Sequence, residues 1–519
     1  MEFESTSSNL LSREFVAVVL AGIGNQLFPL TSDNGDAPSP KALLPVGNRP
    51  MIDYPLTWLE QSGIIDVLLI CPSSHRPSIS HHIHSGTSSS SYPSLRVDVQ
   101  SYDESEDLSS GTCTVLRQVS SRIQKDFVLL PCDFIPPPSL NLTSMLNKLR
   151  VETDLDGAIV TSCWFSAQRS DKGVVPEEWG PGAGSTMPII WDNTSGTLLH
   201  VDSADDIDRN NEDFELRMSL FAKYPRTTVS SKYQDSHVYV CKRAVLDVLH
   251  LKSNFESFRE EFIPWLCKLQ YQRAKQQKYG RVFKHTSNHS VQTLALRHST
   301  LFSGPTKVKY LETGSPSDSP SQRAASLSMP SSPIEANSED PPILSLRVGV
   351  VIHEDGFIGR ANTLVGFLEL NRKFLGQATW VLPTDPKDRS LIDPKSQISS
   401  DSMIGDSTQV AERASIKRSV IGKHCVIGRS VKIVGCILLD HCIVADGARL
   451  DGSILGTNTK VGAKAELVRC LTQAGYDVEA GETFRNDKLE VSDWAAAPED
   501  DENGSDSEGS SLETDNVQS

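Results

Sequence analysis

Four residues in the first third of this chain have the types and spacing that hold a nucleotide phosphate. Gly22 and Gly24 follow the apolar run Phe15 to Leu20, which reads as a buried parallel strand. Glycines at that point let the backbone turn tightly and approach a phosphate closely. Lys41, behind Pro40 and about 17 residues beyond Gly24, supplies a cation that is either a phosphate contact or a solvated loop lysine. Asp133 follows the run Phe127 to Pro131. A carboxylate at the end of a parallel strand faces the ligand crevice and suits a magnesium ion or nucleotide; the alternative is a turn or N-cap residue. Metal-assisted transfer commonly uses a second carboxylate, and the sequence offers no convincing one. His81, His82 and His84 lack a third ligand and read as surface residues. The chain has no G-x-S-x-G elbow and no Walker A sequence, so hydrolase and NTPase chemistries have no anchor.

The elements around these residues alternate strands with amphipathic segments from Phe15 to about Tyr310, as in a layered α/β domain. Strands are expected at Val67 to Cys71, Phe127 to Pro131, Gly157 to Thr161 and Val238 to Cys241, and a helix at Ser257 to Gln277, which Pro264 either kinks or starts a turn of. Ser85 to Ser94 and the Ser/Pro-rich run Glu312 to Pro342 have too little apolar surface to order themselves. Leu344 to His353 then reads as a strand and Ala361 to Phe374 as a helix. Beyond them the period changes: Ile398, Ile404, Val410 and Ile416 recur every six residues. After a slip of one, Ile421, Ile427 and Ile433 resume the step, and Leu455, Val461 and Leu467 repeat it. Such a step places one aliphatic per side in the triangular core of a parallel β-helix. The expected organisation is a flexible 1–14, an α/β domain over 15–311, a disordered insertion at 312–342, a strand and helix completing the first domain over 343–390, a β-helix over 391–491 and a disordered acidic tail at 492–519.

With 519 residues and a formal net charge of -16, the chain holds two or three cores and argues against general nucleic-acid binding, although Lys268 to Lys284 is locally basic. Ten dispersed cysteines without a C-x-x-C pair fit neither zinc nor a disulfide framework. No run has signal-peptide or membrane-span character, so a cytosolic protein without membrane contact is expected.

The stretch from Phe15 to Tyr54 resembles the sugar-nucleotide pyrophosphorylase signature, a G-x-G-T-R loop followed by Pro-Lys and L-P-V. Asn25 and Gln26 stand where that signature has Thr and Arg. Losing the guanidinium removes the fork that would neutralise a departing pyrophosphate. The resemblance therefore implies a degenerate nucleotide pocket of Gly22, Gly24, Gln26, Lys41 and Asp133, without metal or cofactor. The region Leu198 to Asp208 also lacks the lysine of the sugar-phosphate motif.

Three further stretches, Glu260 to Gln272 (EEFIPWLCKLQYQ), Arg360 to Arg372 (RANTLVGFLELNR) and Ile416 to Gly428 (IKRSVIGKHCVIG), resemble the gamma subunit of eukaryotic translation initiation factor 2B. That resemblance covers most of Phe15 to Val491 and implies a left-handed β-helix after a nucleotidyltransferase-like, Rossmann-like α/β domain. Arg360, Asn362, Asn371 and Arg372 carry its second motif, with no role assigned to them. It further implies a non-catalytic partner of the epsilon subunit. That pair joins alpha, beta and delta subunits and acts on initiation factor 2. About 28 residues follow Val491, too few and too acidic for the epsilon subunit's exchange domain. The competing expectation is an active pyrophosphorylase such as mannose-1-phosphate guanylyltransferase, with Arg49 as the substitute cation. A third is a regulatory subunit that senses nucleotide sugars without turnover.

Overall fold

Strands buried on both faces build the centre of the N-terminal sheet. The computed structural model describes residues 14–31, 38–85, 92–102, 111–166, 187–202, 218–283, 346–354, 359–377, 379, 381 and 386–490. The expectations for 1–13, for the Ser/Pro-rich 312–342 and for the acidic 492–519 lie outside the described residues. In chain order the strands are β1 (Phe15–Leu20), the two-residue pair β2 (Pro45–Val46) and β3 (Arg49–Pro50), β4 (Asp66–Pro72), β5 (Arg96–Tyr102), β6 (Asp126–Pro131) and β7 (Phe134–Ile135). They continue with β8 (Ala158–Ser166), β9 (Ile189–Asp192), β10 (Thr197–Val201), β11 (Thr227–Ser230), β12 (Tyr233–Cys241), β13 (Arg347–His353) and β14 (Gly359–Arg360).

Ten of these form one sheet in the order β11-β9-β10-β13-β8-β12-β6-β1-β4-β5. The run β6-β1-β4-β5 is parallel, while β12 is antiparallel to both neighbours, so the sheet is mixed. Val18, Phe127 and Leu129 face one helical layer and Phe15, Ala17, Val19, Val128 and Leu130 the other. Burial on both sides is why these strands read as unbroken apolar runs rather than as alternation.

The expected single helix over Ser257–Gln277 is two helices with a π-turn ahead of them. The π-turn covers Phe258–Phe262, a helix follows over Ile263–Leu269 and a second begins at Arg273. Pro264 lies in the first α-turn, where its missing N–H is not needed. The break falls at Gln270, whose buried amide donates to the Leu198 carbonyl (2.7 Å) and accepts from the Val348 N–H (3.2 Å), tying β10 to β13.

The helix expected from Ala361 begins at Leu364 and runs to Gln377, with Thr363 accepting from the Gly366 N–H at 3.1 Å. This connecting helix packs Phe367, Leu368, Leu370 and Leu375 between the first domain and one face of the second, represented by Val420, Ile437, Ile454 and Leu471.

The second domain is a stack of parallel coils with three sheets, one per side. Ile416, Ile433, Leu450 and Leu467 stack on one side, Ile421, Leu438 and Leu455 on the next, and Ile427, Val444, Val461 and Val478 on the third. Partners are 17 residues apart because each coil advances by six, six and five residues. The slip after Ile416 is therefore no irregularity: it recurs in every coil, and Leu438, Val444 and Leu450 fill the gap that a strict six-residue count leaves. The shorter side turns at Arg418, Gly435, Gly452, Arg469 and Asn486, all with positive φ. Two further columns of positive φ, Ser407 to Gly475 and Arg413 to Gly481, form the other corners at the same spacing.

Candidate functional site

The turn after β1 and the residues after β6 leave the sheet side by side. The Cys132 N–H donates to the Leu20 carbonyl at 2.9 Å, and the Ala21 N–H to Ile70 at 2.8 Å, so both enter the crevice at the carboxyl ends of the parallel strands. Gly24 has φ +89, and a Cβ there would lie 3.0 Å from Lys41 Cβ and Cδ. Its lack of a side chain thus serves a left-handed turn and makes room for the lysine stem. Gly22 is not required by the turn, since it has no left-handed φ and faces open space.

Lys41 is 6 % exposed, so it is not a solvated loop lysine. Its Nζ lies 2.5 Å from Asp133 Oδ2 and also donates to Asn362 Oδ1. Asp133 is fully buried in the turn between β6 and β7 and caps no helix. β14 pairs Arg360 with Phe134 of β7, which brings the guanidinium alongside: Nε donates to Asp133 Oδ1 at 2.9 Å and Nη2 to Oδ2 at 3.1 Å. Burial alone would raise the Asp133 pKa, but the charges of Arg360 and Lys41 outweigh it and hold the carboxyl well below its ordinary range. Asn362 also donates to Gln26 Oε1 at 3.1 Å.

Gln26, Lys41, Asp133, Arg360 and Asn362 thus form one network, although they come from opposite ends of the first domain. An arginine at position 26 could not accept from Asn362 and would add a third cation to a single carboxylate. Both Asp133 oxygens already accept from Arg360 and Lys41, two cations on one carboxylate, so in this arrangement the group offers a magnesium ion no net negative charge. Among the described residues no group of three or more His, Cys, Asp or Glu is placed to hold a metal. Arg49 donates to the Asp53 carbonyl (2.8 Å), Thr57 and Tyr92 (3.3 Å) and lies over the Tyr54 ring, which leaves its guanidinium engaged outside this network.

Asn371 and Arg372 do not enter the crevice. Asn371 is fully buried on the connecting helix, accepts from the Gly47 N–H at 2.9 Å and donates to the Phe367 carbonyl at 2.9 Å. Arg372 is half-buried; burial lowers its pKa, Glu369 opposes this and Arg418 of the second domain adds to it. Of the three histidines, His81 and His84 are exposed. His82 Nε2 instead lies 2.9 Å from Asp53 Oδ1.

Sequence reasoning missed Asp235, His237 and Arg259. A register shift in β12 between Asp235 and Tyr239 turns His237 to φ 58, with its N–H donating to Asp235 Oδ1 at 2.8 Å. Tyr239 donates to Asp235 Oδ2, and Arg259 Nε lies 3.8 Å from the same oxygen. Burial, reinforced by the charges of Arg360 and Arg259, lowers the His237 pKa well below the ordinary value and keeps the imidazole neutral. The signal was present: the polar run Gln-Asp-Ser-His lies directly before the apolar end of the strand, the mark of a bulge.

The mixed sheet with its crevice, followed by a triangular parallel β-helix, defines a nucleotidyltransferase-like protein with a hexapeptide-repeat domain. The nucleotidyl transferase family model matches residues 16–174, and the model of the EIF2B subunit epsilon LbH (left-handed β-helix) domain matches 387–484. The chain is 30% identical over 482 residues to translation initiation factor eIF2B subunit gamma of Schizosaccharomyces pombe, covering 92% of this chain and 90% of that one. It is 24% identical to the gamma subunit of Dictyostelium discoideum over 76% of this chain and 84% of that one. The epsilon subunit of the same organism is 24% identical over 50% of this chain and 34% of its own length. The chain belongs to the eIF2B gamma subunit family.

Proposed function

We propose that this chain is a non-catalytic subunit of the translation initiation factor 2B complex, which exchanges GDP for GTP on initiation factor 2 in the cytosol. It pairs directly with an epsilon-type subunit, and that pair joins alpha, beta and delta subunits. One observation carries the non-catalytic part: the cation that would contact a phosphate, Lys41, and the carboxylate that would hold a metal, Asp133, neutralise each other with Arg360 as the third member. Lys41 and Arg360 are thereby engaged with Asp133 rather than poised for a triphosphate, and preorganised charge is what phosphoryl and nucleotidyl transfer need. The competing transferase needs Arg49 as its cation, and that side chain is held by Asp53, Thr57 and Tyr92. Exchange then asks no bond chemistry of this chain: it helps hold initiation factor 2 while another subunit favours the nucleotide-free state.

The test is affinity purification of the tagged chain from its own cells, with mass spectrometry and a GDP-release assay on initiation factor 2. Four companion subunits and exchange activity that the isolated chain lacks are expected. A lone oligomer releasing pyrophosphate from GTP and mannose 1-phosphate would overturn the reading.

A further inference from the structure

The β2–β3 hairpin meets the β-helix beside the connecting helix. Its two turn residues, Gly47 (φ 57) and Asn48 (φ 60), are both left-handed, the conformation of a tight two-residue hairpin turn. At the tip, Asn48 Nδ2 donates to the Ile421 carbonyl of the β-helix at 2.8 Å, using the second lone pair of an oxygen that already accepts from the Gly405 N–H. One residue earlier, the Gly47 N–H donates to Asn371 Oδ1 on the connecting helix. The hairpin, the helix and the β-helix therefore meet through two side-chain amides.

Asn371 is the informative member. It is fully buried next to Phe367, Leu368 and Leu370, where a leucine would add apolar burial and an amide costs free energy unless both its ends are bonded. Both ends are bonded, and the bonds fix direction: a leucine would pack there without choosing where the hairpin tip sits. At the other end of the same stretch, the Ala361 N–H donates to the Asp133 carbonyl at 3.2 Å and Arg360 and Asn362 are held in the crevice. The segment from 360 to 371 is thus pinned at the crevice, at the hairpin and, through Asn48, at the β-helix.

We propose that Asn48 and Asn371 are positioning residues that set the angle at which the β-helix is carried on the first domain, and thereby align the surfaces of both domains for one partner subunit. This rests on the reading of the chain as an assembling subunit. The experiment uses the full chain with spin labels at Arg122→Cys and Lys488→Cys, both exposed positions, the native thiols being buried. It compares the wild-type background with Asn371→Leu and with Asn48→Asp, which keeps a residue tolerant of the left-handed turn but replaces the donor by an acceptor.

In both variants the inter-label distance distribution should broaden, and capture of the purified epsilon-type subunit should weaken about tenfold, the order expected when one hydrogen bond between elements is lost. Unfolding of the first domain should be retained. An unchanged distribution, or a broadened one with capture intact, would overturn the positioning role. Should Asn371→Leu fail to fold, Asn48→Asp on the partly exposed turn decides alone. If the wild-type chain captures no such subunit, the functional reading fails, while the distances still decide whether these two amides set the angle.

Discussion

Arg360 reaches back 227 residues to hold Asp133 with two nearly parallel bonds of 2.9 and 3.1 Å. The pair joins the end of the first domain's chain to the centre of its sheet, and Lys41 closes the third side. Bidentate geometry of this kind is specific to arginine, since lysine offers a point charge rather than a fork.

Asp133→Asn would leave two buried cations without their carboxylate. Breaking a buried ion pair from one side costs about 3–5 kcal/mol. The expected result is a loss of that order in the first domain, measured by denaturant unfolding followed through its tryptophans. A variant as stable as the parent would mean that the network contributes nothing to the stability of the first domain.

Two of the carboxyls that shape the acid limb of stability act with opposite signs. Asp133 has a folded pKa below its unfolded one, so its contribution is present above about pH 4 and is lost as the pH falls further. Burial raises Asp126 to about 6, with the Arg243 N–H opposing, so its protonated form favours the fold. That contribution is full below about pH 4 and is lost as the pH rises to about 6. Unfolding free energies across pH 3 to 7 should therefore lose Asp126's share of the slope between about pH 4 and 6 in Asp126→Asn, and part of the slope below about pH 4 in Asp133→Asn.

Neighbouring residues in one coil make an internal control for the β-helix. Ile427 is 1 % exposed and points into the triangular core, whereas Val426 is 39 % exposed on the same strand. Ile427→Asp should cost several kcal/mol, about 4 or more, and Val426→Asp less than about 1. Thermal melts of the two variants test the register directly, because a shift of one residue would exchange the outcomes.

All ten cysteines are free and buried. Burial pushes the Cys132 thiol up to about 12 and Cys71 up to about 11, with nearby cations opposing in each case. The native chain should leave these thiols unreacted with a colorimetric thiol reagent at about pH 8 and should titrate fully in denaturant. Prompt reaction of even one thiol would show that part of a core opens readily.

Much of the architecture was legible because burial writes itself into sequence. Strands covered on both faces, such as β1 and β6, appear as apolar runs, and the β-helix announces itself through aliphatics at fixed steps. The sense of the slip after Ile416 was not legible, since a single missing residue looks like an interruption until the left-handed corners at Arg418, Gly435 and Gly452 are seen in one column. At the crevice, Gln26, Lys41 and Asp133 stood out by type, and Arg360 and Asn362 by motif. Their meeting did not, because a bond spanning 227 residues leaves no local pattern. Pro264 starts a helical turn, one of the two readings that a proline inside a helical run allows, whereas the division of the run at Gln270 was not legible because tertiary contacts decide it.

The 17-residue coil also sets a rule for how such a chain can change in length. Each coil returns to the same three corners, so a segment of one full coil can be gained or lost while every later aliphatic keeps its side of the triangle. A single inserted residue within a side would instead turn all subsequent coils outward, exposing their aliphatics and burying their charges. The second domain is therefore a ruler with one graduation. Its reach away from the first domain can be lengthened or shortened by inheritance only in whole steps, whatever distance a partner surface would favour.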